Sequence, residues 1–263
     1  MNKINAYTNF LYQNTLIFVT VKLKLVIFNF YDLFRKRKLL NLSEDEKELK
    51  RNGYLLSNFK INISKLNSFI EEKFKSNISG KNHWTRKDLS PEDFEELLDL
   101  LNKDNPFSKY VYSYFGFRPI MESAELLNSI TKKDFKKSQL IHKDYDSNKM
   151  LKFFIYLSDV NDIDSGPLTI VKNNKLLTFF YPIHKSLKWE KENIRKKNIK
   201  FKEVYGPEGT NFFLDTSRNF HVGSRCLNNK TRKCLIISFR SKFRIRGNGK
   251  NVGSNYLLEY NNS

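Results

Sequence analysis

Residues 138–145 read SQLIHKDY and set a histidine and a carboxylate two positions apart. Side chains alternate between the two faces of an extended strand, so His142 and Asp144 point to one side and Lys143 to the other. His221, in the segment RNFHVG at residues 218–223, is a third candidate ligand among only four histidines in the chain. The pattern is that of a metal site built from two histidines and one carboxylate. Taken alone, a His-x-Asp pair in a strand also fits a surface pair or a hydrogen-bonded core histidine.

The surrounding sequence supplies an ordered set of further motifs. A hydrophobic run, MLKFFIYLSDV, occupies residues 150–160, and SGPL follows at residues 165–168. The segment GTNFFLDT at residues 209–216 leads to His221 and then to Arg232. In this order the residues resemble the phytanoyl-CoA dioxygenase family of Fe(II)- and 2-oxoglutarate-dependent oxygenases, over roughly residues 45–245.

The resemblance implies a mainly β protein with flanking helices around a double-stranded β-helix, a jelly-roll or cupin-like core. It implies that His142, Asp144 and His221 bind Fe(II) on one face and leave the other face open, as in non-haem oxygenases. It further implies an Fe(II)/2-oxoglutarate-dependent dioxygenase that hydroxylates a small organic substrate, with O2 as oxidant and 2-oxoglutarate converted to succinate and CO2.

Two further site residues follow from the same resemblance. Arg232 matches the arginine that follows the distal histidine in the family and would bind the far carboxylate of 2-oxoglutarate, because its planar fork makes two parallel hydrogen bonds to a carboxylate. Gln139 matches the Ser-Gln pair of the family and is expected to hydrogen-bond within the site or to be a plain polar residue of a strand. Tyr145 and Lys152 are weaker candidates for that supporting role.

A hairpin geometry also favours Arg232. A two-residue turn at residues 228–229 would pair His221 with Ile236 and Arg225 with Arg232 in antiparallel strands. His221 and Arg232 would then share one face of a sheet about 13 Å apart, a gap that the arginine side chain and a five-carbon diacid could span together. Arg225 shares that face and is the alternative to Arg232.

The chain departs from the family after the Gly-Pro strand. Residues 171–176 read VKNNKL, where family members often carry a turn of the Pro-Gly-Ser-His type. Because that loop borders the mouth of the active site in the family, its change leaves the substrate class open. The sequence also leaves the oligomeric state open.

The charge of the chain suggests two alternative functions. The formal net charge of +19 is spread along the 263 residues and is not gathered into one basic arm. We therefore expect no specific nucleic-acid partner. The small-molecule substrate is what the family resemblance implies. The alternatives are a non-catalytic jelly-roll module that binds an anionic partner, and an oxygenase directed at nucleic acid. The two cysteines form no Cys-x-x-Cys motif, which fits a cytoplasmic protein.

Three regions are predicted: an apolar and basic extension at 1–42, the oxygenase domain at 43–246, and a loosely ordered tail at 247–263. Residues 15–34 are strongly apolar, but Lys22 and Lys24 interrupt them and RKRK follows at 35–38. A membrane span is therefore not expected. The segment either packs on the domain, which we favour, or makes a weak peripheral contact with a membrane through residues 15–38.

Local signals predict the secondary structure. Capping motifs predict helices at 44–52 and from Pro91 to Lys103, and residue composition favours helices at 122–130 and 186–196. Strands are predicted at 54–61, 110–117, 140–142, 151–158, 168–171, 199–204, 210–214, 220–226 and 231–239.

Overall fold

A computed structural model describes residues 19–20, 22–34, 41–74, 84–87, 89–130, 141–144, 147–171, 200–243 and 256–257. The described helices are α1 (residues 22–34), α2 (Glu44–Asn52), α3 (Ile63–Phe74), α4 (Pro91–Asn102) and α5 (Phe107–Phe115). The strands are β1 (Tyr54–Ser57), β2 (Trp84–Lys87), β3 (Ile120–Ile130), β4 (Met150–Tyr156), β5 (Leu168–Val171), β6 (Phe201–Val204), β7 (Asn211–Asp215), β8 (His221–Gly223), β9 (Thr231–Arg240) and β10 (Tyr256–Leu257).

Two antiparallel sheets form the centre of the protein. The larger sheet has seven strands in the order β1-β7-β4-β9-β3-β10, with β2 also paired to β3. The smaller sheet has the order β6-β5-β8, and a single bridge between His142 and His221 adds residues 141–142 beyond β8. Two facing antiparallel sheets confirm the predicted jelly-roll core with helices packed against it.

Strand β4 shows how the core is divided between the two faces of the larger sheet. Leu151, Phe153 and Ile155 pack against the helices in the larger hydrophobic cluster. Phe154 and Tyr156 alternate with them and pack toward the smaller sheet in a second cluster. This two-residue alternation makes the protein a three-layer structure of helices, large sheet and small sheet.

The capping signals are confirmed. Ser43 and Glu46 form a reciprocal capping box at the start of α2, and Gly53 ends that helix with φ 71°. Ser90 and Asp93 form the same arrangement at the start of α4. Such caps satisfy backbone N–H groups that have no partner within the helix, which is why they fix helix ends from local sequence alone.

Two element assignments were wrong. The aromatic segment at 110–117 was predicted as a strand, but it forms most of α5, because helical spacing places Phe107, Val111 and Phe115 together in the core. The segment at 122–130 was predicted as a helix, but it forms most of β3, which pairs with β9 along its length.

The strand predictions that fall on β1, β4, β5, β6, β7 and β9 are confirmed to within four residues at each end, and β8 is shorter than expected. Of the predicted strand at 140–142, the described residues 141–142 form only an isolated bridge through His142. The predicted helix at 186–196 and the departing loop at 172–176 lie outside the described residues. In the tail, residues 256–257 form β10, which pairs with Ile120 and Met121 of β3. Within the described ranges, no helix has both the length and the apolar character needed to cross a bilayer.

Candidate metal centre

His142, Asp144 and His221 come together in the structure. One potential ligand atom from each residue lies within 4.8 Å of the others. The backbone fixes this arrangement: His142 N–H donates to His221 O at 3.0 Å, and His221 N–H donates to His142 O at 2.9 Å. Asp144 N–H donates to Thr216 O at 2.9 Å, which holds the third residue beside the pair. The sequence-predicted triad therefore converges on one point.

His221 is oriented as a ligand with one nitrogen available. Its Nδ1 lies 3.2 Å from the carbonyl oxygen of Asn219. Because a carbonyl can only accept, Nδ1 carries the proton and Nε2 keeps its lone pair. Burial is the main cause that lowers the pKa of His221 to about 3; the neighbouring His142 and Lys152 act in the same direction, and Asp144 opposes them. His221 is thus neutral at physiological pH, as a metal ligand must be.

Asp144 is held as a carboxylate. Burial raises its pKa, but the ammonium of Lys152 and the two histidine rings outweigh burial and hold the pKa far below the usual range of an aspartate. Lys152 Nζ lies 2.8 Å from Oδ2 of Asp144, whereas His142 Nε2 lies 3.8 Å from Oδ1. The two carboxylate oxygens therefore face different groups, and Oδ1 faces the histidine.

Arg232 is a buried cation with unused donors. It is 3% exposed and donates from Nη2 to Ser129 Oγ at 3.2 Å. Its Nε and Nη1 meet no hydrogen-bond acceptor among the described residues, and no carboxylate of those residues pairs with it. Buried charges in proteins are ordinarily paired. The side chain is therefore suited to an anionic ligand.

A single cavity between the two sheets joins these groups. Arg232, Lys152 and the triad line it together with mostly apolar residues: Leu127, Phe154, Tyr156, Leu168, Gly223, Cys234 and Ile236. Arg225 is not among the lining residues, so the cavity distinguishes between the two arginines considered from the sequence. The donor set of the triad and the orphaned guanidinium at one cavity fit a metal ion and a dicarboxylate.

Residues 228–229 form the predicted turn, but the strands on either side of it do not pair with each other as predicted. Asn228 and Asn229 have φ 50° and 60°, as a two-residue turn requires. However, β8 pairs with β5 of the smaller sheet, whereas β9 pairs with β3 and β4 of the larger sheet. Strand β9 lies between β3 and β4 in the larger sheet, away from β8, and is buried from Cys234 onward. His221 and Arg232 face each other across the cavity and do not share one sheet face.

Other site predictions have different outcomes. Gln139 and Tyr145 lie outside the described residues, so their roles remain predictions. Lys152, a weaker candidate, contacts Asp144 directly. Its alternation with Phe154 and Tyr156 in β4 would have placed it on the cavity side. The carbonyls of Asn219 and Thr216 were missed, because backbone groups leave no trace in residue identity.

Comparison with known proteins supports the fold. No protein-family model matches the chain, and no curated protein matches it in sequence. A solved structure of SnoN, a non-haem α-ketoglutarate-dependent epimerase from nogalamycin biosynthesis, matches with a TM-score of 0.55 and 14% identity, over 75% of this chain and 82% of that chain.

Two further solved structures match in the same way. SnoK, a non-haem α-ketoglutarate-dependent carbocyclase from the same biosynthesis, has a TM-score of 0.53 and 14% identity over 78% of this chain and 86% of that chain. Iron-bound HygX from Streptomyces hygroscopicus has a TM-score of 0.53 and 14% identity, over 77% and 88% of the respective chains. The resemblance inferred from the sequence is confirmed at the level of fold: the chain has the jelly-roll fold of these non-haem, α-ketoglutarate-dependent enzymes.

Proposed function

We propose that this protein is an Fe(II)- and 2-oxoglutarate-dependent oxygenase that acts on a small organic molecule. The observation that carries the proposal is one cavity that holds both the His142, Asp144 and His221 cluster and the unpaired guanidinium of Arg232. A module that only bound an anion would have no need of the three ligand atoms. The structural neighbours SnoK and SnoN, which are α-ketoglutarate-dependent enzymes, are consistent with it.

The residues of this chain have distinct tasks in the proposed enzyme. His142 Nε2, Asp144 Oδ1 and His221 Nε2 would hold Fe(II), and Arg232 would bind the distal carboxylate of 2-oxoglutarate through its free Nε and Nη1. When bound, the metal and cosubstrate supply an oxidation by O2 that yields succinate and CO2. The apolar walls at Phe154, Leu168 and Ile236 exclude water from the cavity, which strengthens these charged contacts.

We propose hydroxylation as the outcome, because the intact carboxylate of Asp144 occupies the position where related halogenases have a small residue and bind chloride. The neighbours include an epimerase and a carbocyclase, so the fold also accommodates other oxidative outcomes. Product analysis with a library of small apolar and glycosidic compounds would identify which outcome this chain supports.

The test of the proposed function is anaerobic addition of Fe(II) and 2-oxoglutarate, followed by visible absorption. We expect a weak metal-to-ligand charge-transfer band in the wild type, and none in His142→Ala. Arg232→Met should form the band only at much higher 2-oxoglutarate concentrations, because it loses the carboxylate partner. Arg225→Met is the matched control, since it removes an arginine of the same chain segment that does not line the cavity.

Two results would count against the proposal. A folded, metal-free wild-type protein that develops no band would favour the non-catalytic anion-binding module. If Arg232→Met and the wild type need the same 2-oxoglutarate concentration to form the band, Arg232 does not bind 2-oxoglutarate. The proposed metal site would be unaffected by that result.

A further inference from the structure

Helix α1 is attached to the domain by one face. The carboxylate of Asp32, which is 4% exposed, accepts hydrogen bonds from Asn148 Nδ2 at 2.8 Å and from Ser241 Oγ at 2.9 Å. On the same side, the ring of Phe28 stacks on Phe243 with 4.9 Å between centroids. These contacts fix which side of the helix faces the protein and which faces outward.

The outward face of this segment is apolar. With 100° of rotation per residue, six apolar side chains of α1 fall within an arc of about 120° centred on Phe30, opposite Phe28 and Asp32. Their exposed fractions run from 53% to 77%. We call this set the apolar stripe, and it consists of Leu23, Val26, Ile27, Phe30, Leu33 and Phe34. A contiguous stripe of this kind, unlike scattered apolar residues, marks a docking surface.

Basic residues border the apolar stripe. On the same helical wheel, Lys22 and Lys24 lie on its two flanks, about 80° and 120° from Phe30. The sequence continues from Phe34 into RKRK at residues 35–38. Lysines at the edge of an apolar helix face can extend their ammonium groups to lipid phosphates while their methylene stems stay in the apolar layer.

The positive charge of the chain favours an anionic bilayer over a second copy of this chain as the partner of the apolar stripe. A second copy of this chain would bring another net charge of +19 against the same lysine-bordered face, which Coulomb repulsion disfavours. An anionic bilayer offers both an apolar layer for the stripe and negative charge for its borders. Because α1 is apolar on one face and is held to the domain by the opposite face, the helix would lie in the plane of the interface.

We propose that the apolar stripe of α1 docks this protein on the surface of an anionic lipid bilayer. The outward-facing apolar side chains enter the boundary between headgroups and acyl chains, and the flanking lysines contact lipid phosphates. The buried contacts of Asp32 keep the catalytic domain attached to the docked helix. Membrane docking through α1 does not depend on the metal site, so it can be tested independently of the proposed function.

The experiment is flotation of the full chain with vesicles of phosphatidylcholine alone and of phosphatidylcholine mixed with phosphatidylserine. We expect at least about tenfold stronger binding to the mixed vesicles, weakening as salt increases. The double variant Val26→Glu and Phe30→Glu should lose this binding. Ile163→Glu, which places a charge on an exposed apolar residue outside the stripe, is the matched control and should bind as the wild type does.

Circular dichroism and thermal unfolding of each variant would verify that the fold is retained. Equal binding to both vesicle types would show that anionic lipid is not required and would overturn the proposal. The proposal would also be overturned if the wild type bound neither vesicle and sedimented as a dimer that the double variant dissociates, which would assign the stripe to a second copy. A wild type that binds neither vesicle and remains a monomer would equally overturn it.

Discussion

Lys152 Nζ lies 2.8 Å from Oδ2 of Asp144, so a lysine of the larger sheet neutralises the carboxylate of the candidate metal centre. Both side chains are mostly buried, with 13% and 16% of their surfaces exposed. In the absence of metal, this ammonium is the principal counter-charge of the carboxylate. In the presence of a divalent cation, it would repel the metal.

The first prediction follows from this double role. Lys152→Met should lower the free energy of unfolding of the metal-free protein by about 2 kcal/mol, because it leaves a buried carboxylate without its partner. Metal should then raise the melting temperature more in Lys152→Met than in the wild type, because repulsion is gone and the carboxylate regains a cation. Thermal unfolding with chelator and with added metal would measure both effects. Lys233→Met, on an exposed position of β9, is the control, and an unchanged metal response in Lys152→Met would contradict the prediction.

A second prediction concerns Arg232. Because its guanidinium is buried without a carboxylate partner among the described residues, Arg232→Met should raise the free energy of unfolding of the ligand-free protein by about 2 kcal/mol. The same variant should bind 2-oxoglutarate more weakly. Urea unfolding in the absence of 2-oxoglutarate tests the stability. A variant that is less stable than the wild type would mean that the Arg232 guanidinium stabilises the ligand-free fold, and would contradict the prediction.

The capping box of α2 gives a prediction on pH. Burial raises the pKa of Glu46, but hydrogen bonds from the Ser43 backbone, Ser113 and the Ser43 hydroxyl, with the charge of Lys109, outweigh it and lower the pKa overall. The folded-state pKa is therefore below the unfolded one. The resulting stability is present above about pH 4.3, the ordinary glutamate value, and is lost as the pH falls through the folded-state pKa.

Glu46→Gln tests this linkage, because glutamine can keep the hydrogen bond to the Ser43 backbone but carries no charge. We expect the wild type to be more stable than the variant by about 1 kcal/mol at neutral pH. The difference should shrink toward zero in acid. Urea unfolding at several pH values measures it, and a difference that does not depend on pH would show that the charge contributes nothing.

A fourth prediction concerns the thiols. Cys226 and Cys234 are free and buried. Burial raises the pKa of the Cys226 thiol, and burial raises that of Cys234 to about 12, against the opposing charge of Arg232 in both cases. Because thiolates are the reactive form, neither cysteine should react with Ellman's reagent in the native protein at neutral pH. Both should react after denaturation, and rapid native-state modification would contradict the burial.

The elements that depend on local determinants were predicted correctly from the sequence. The capping boxes at Ser43 and Ser90 involve residues three positions apart, and they located α2 and α4. The His-x-Asp spacing placed His142 and Asp144 on one side of an extended segment, as observed. Each of these patterns depends on a few neighbouring side chains and on fixed backbone geometry.

Elements whose structure depends on partners distant in the sequence were not predicted correctly. The Glu- and Leu-containing segment of β3 has helical propensity, yet it pairs with β9, and its buried Glu122 lies 3.6 Å from Arg240 Nε of that strand. Such tertiary pairing overrides local preference. The turn at Asn228 and Asn229 was likewise predictable, whereas the choice of a different sheet for each strand beside it was not.

His221 and Arg232 lie on opposite sheets, so the side chains between the sheets determine the distance between these two residues. Facing sheets stand about 10 Å apart, and the side chains between them set that distance. Phe154, Leu168 and Ile236 occupy this layer and line the cavity. The length of diacid that can reach from the metal ligands to the guanidinium is therefore set by the thickness of an aliphatic and aromatic layer. In the proposed enzyme, these residues would thus determine which cosubstrate length fits, although they are not metal ligands.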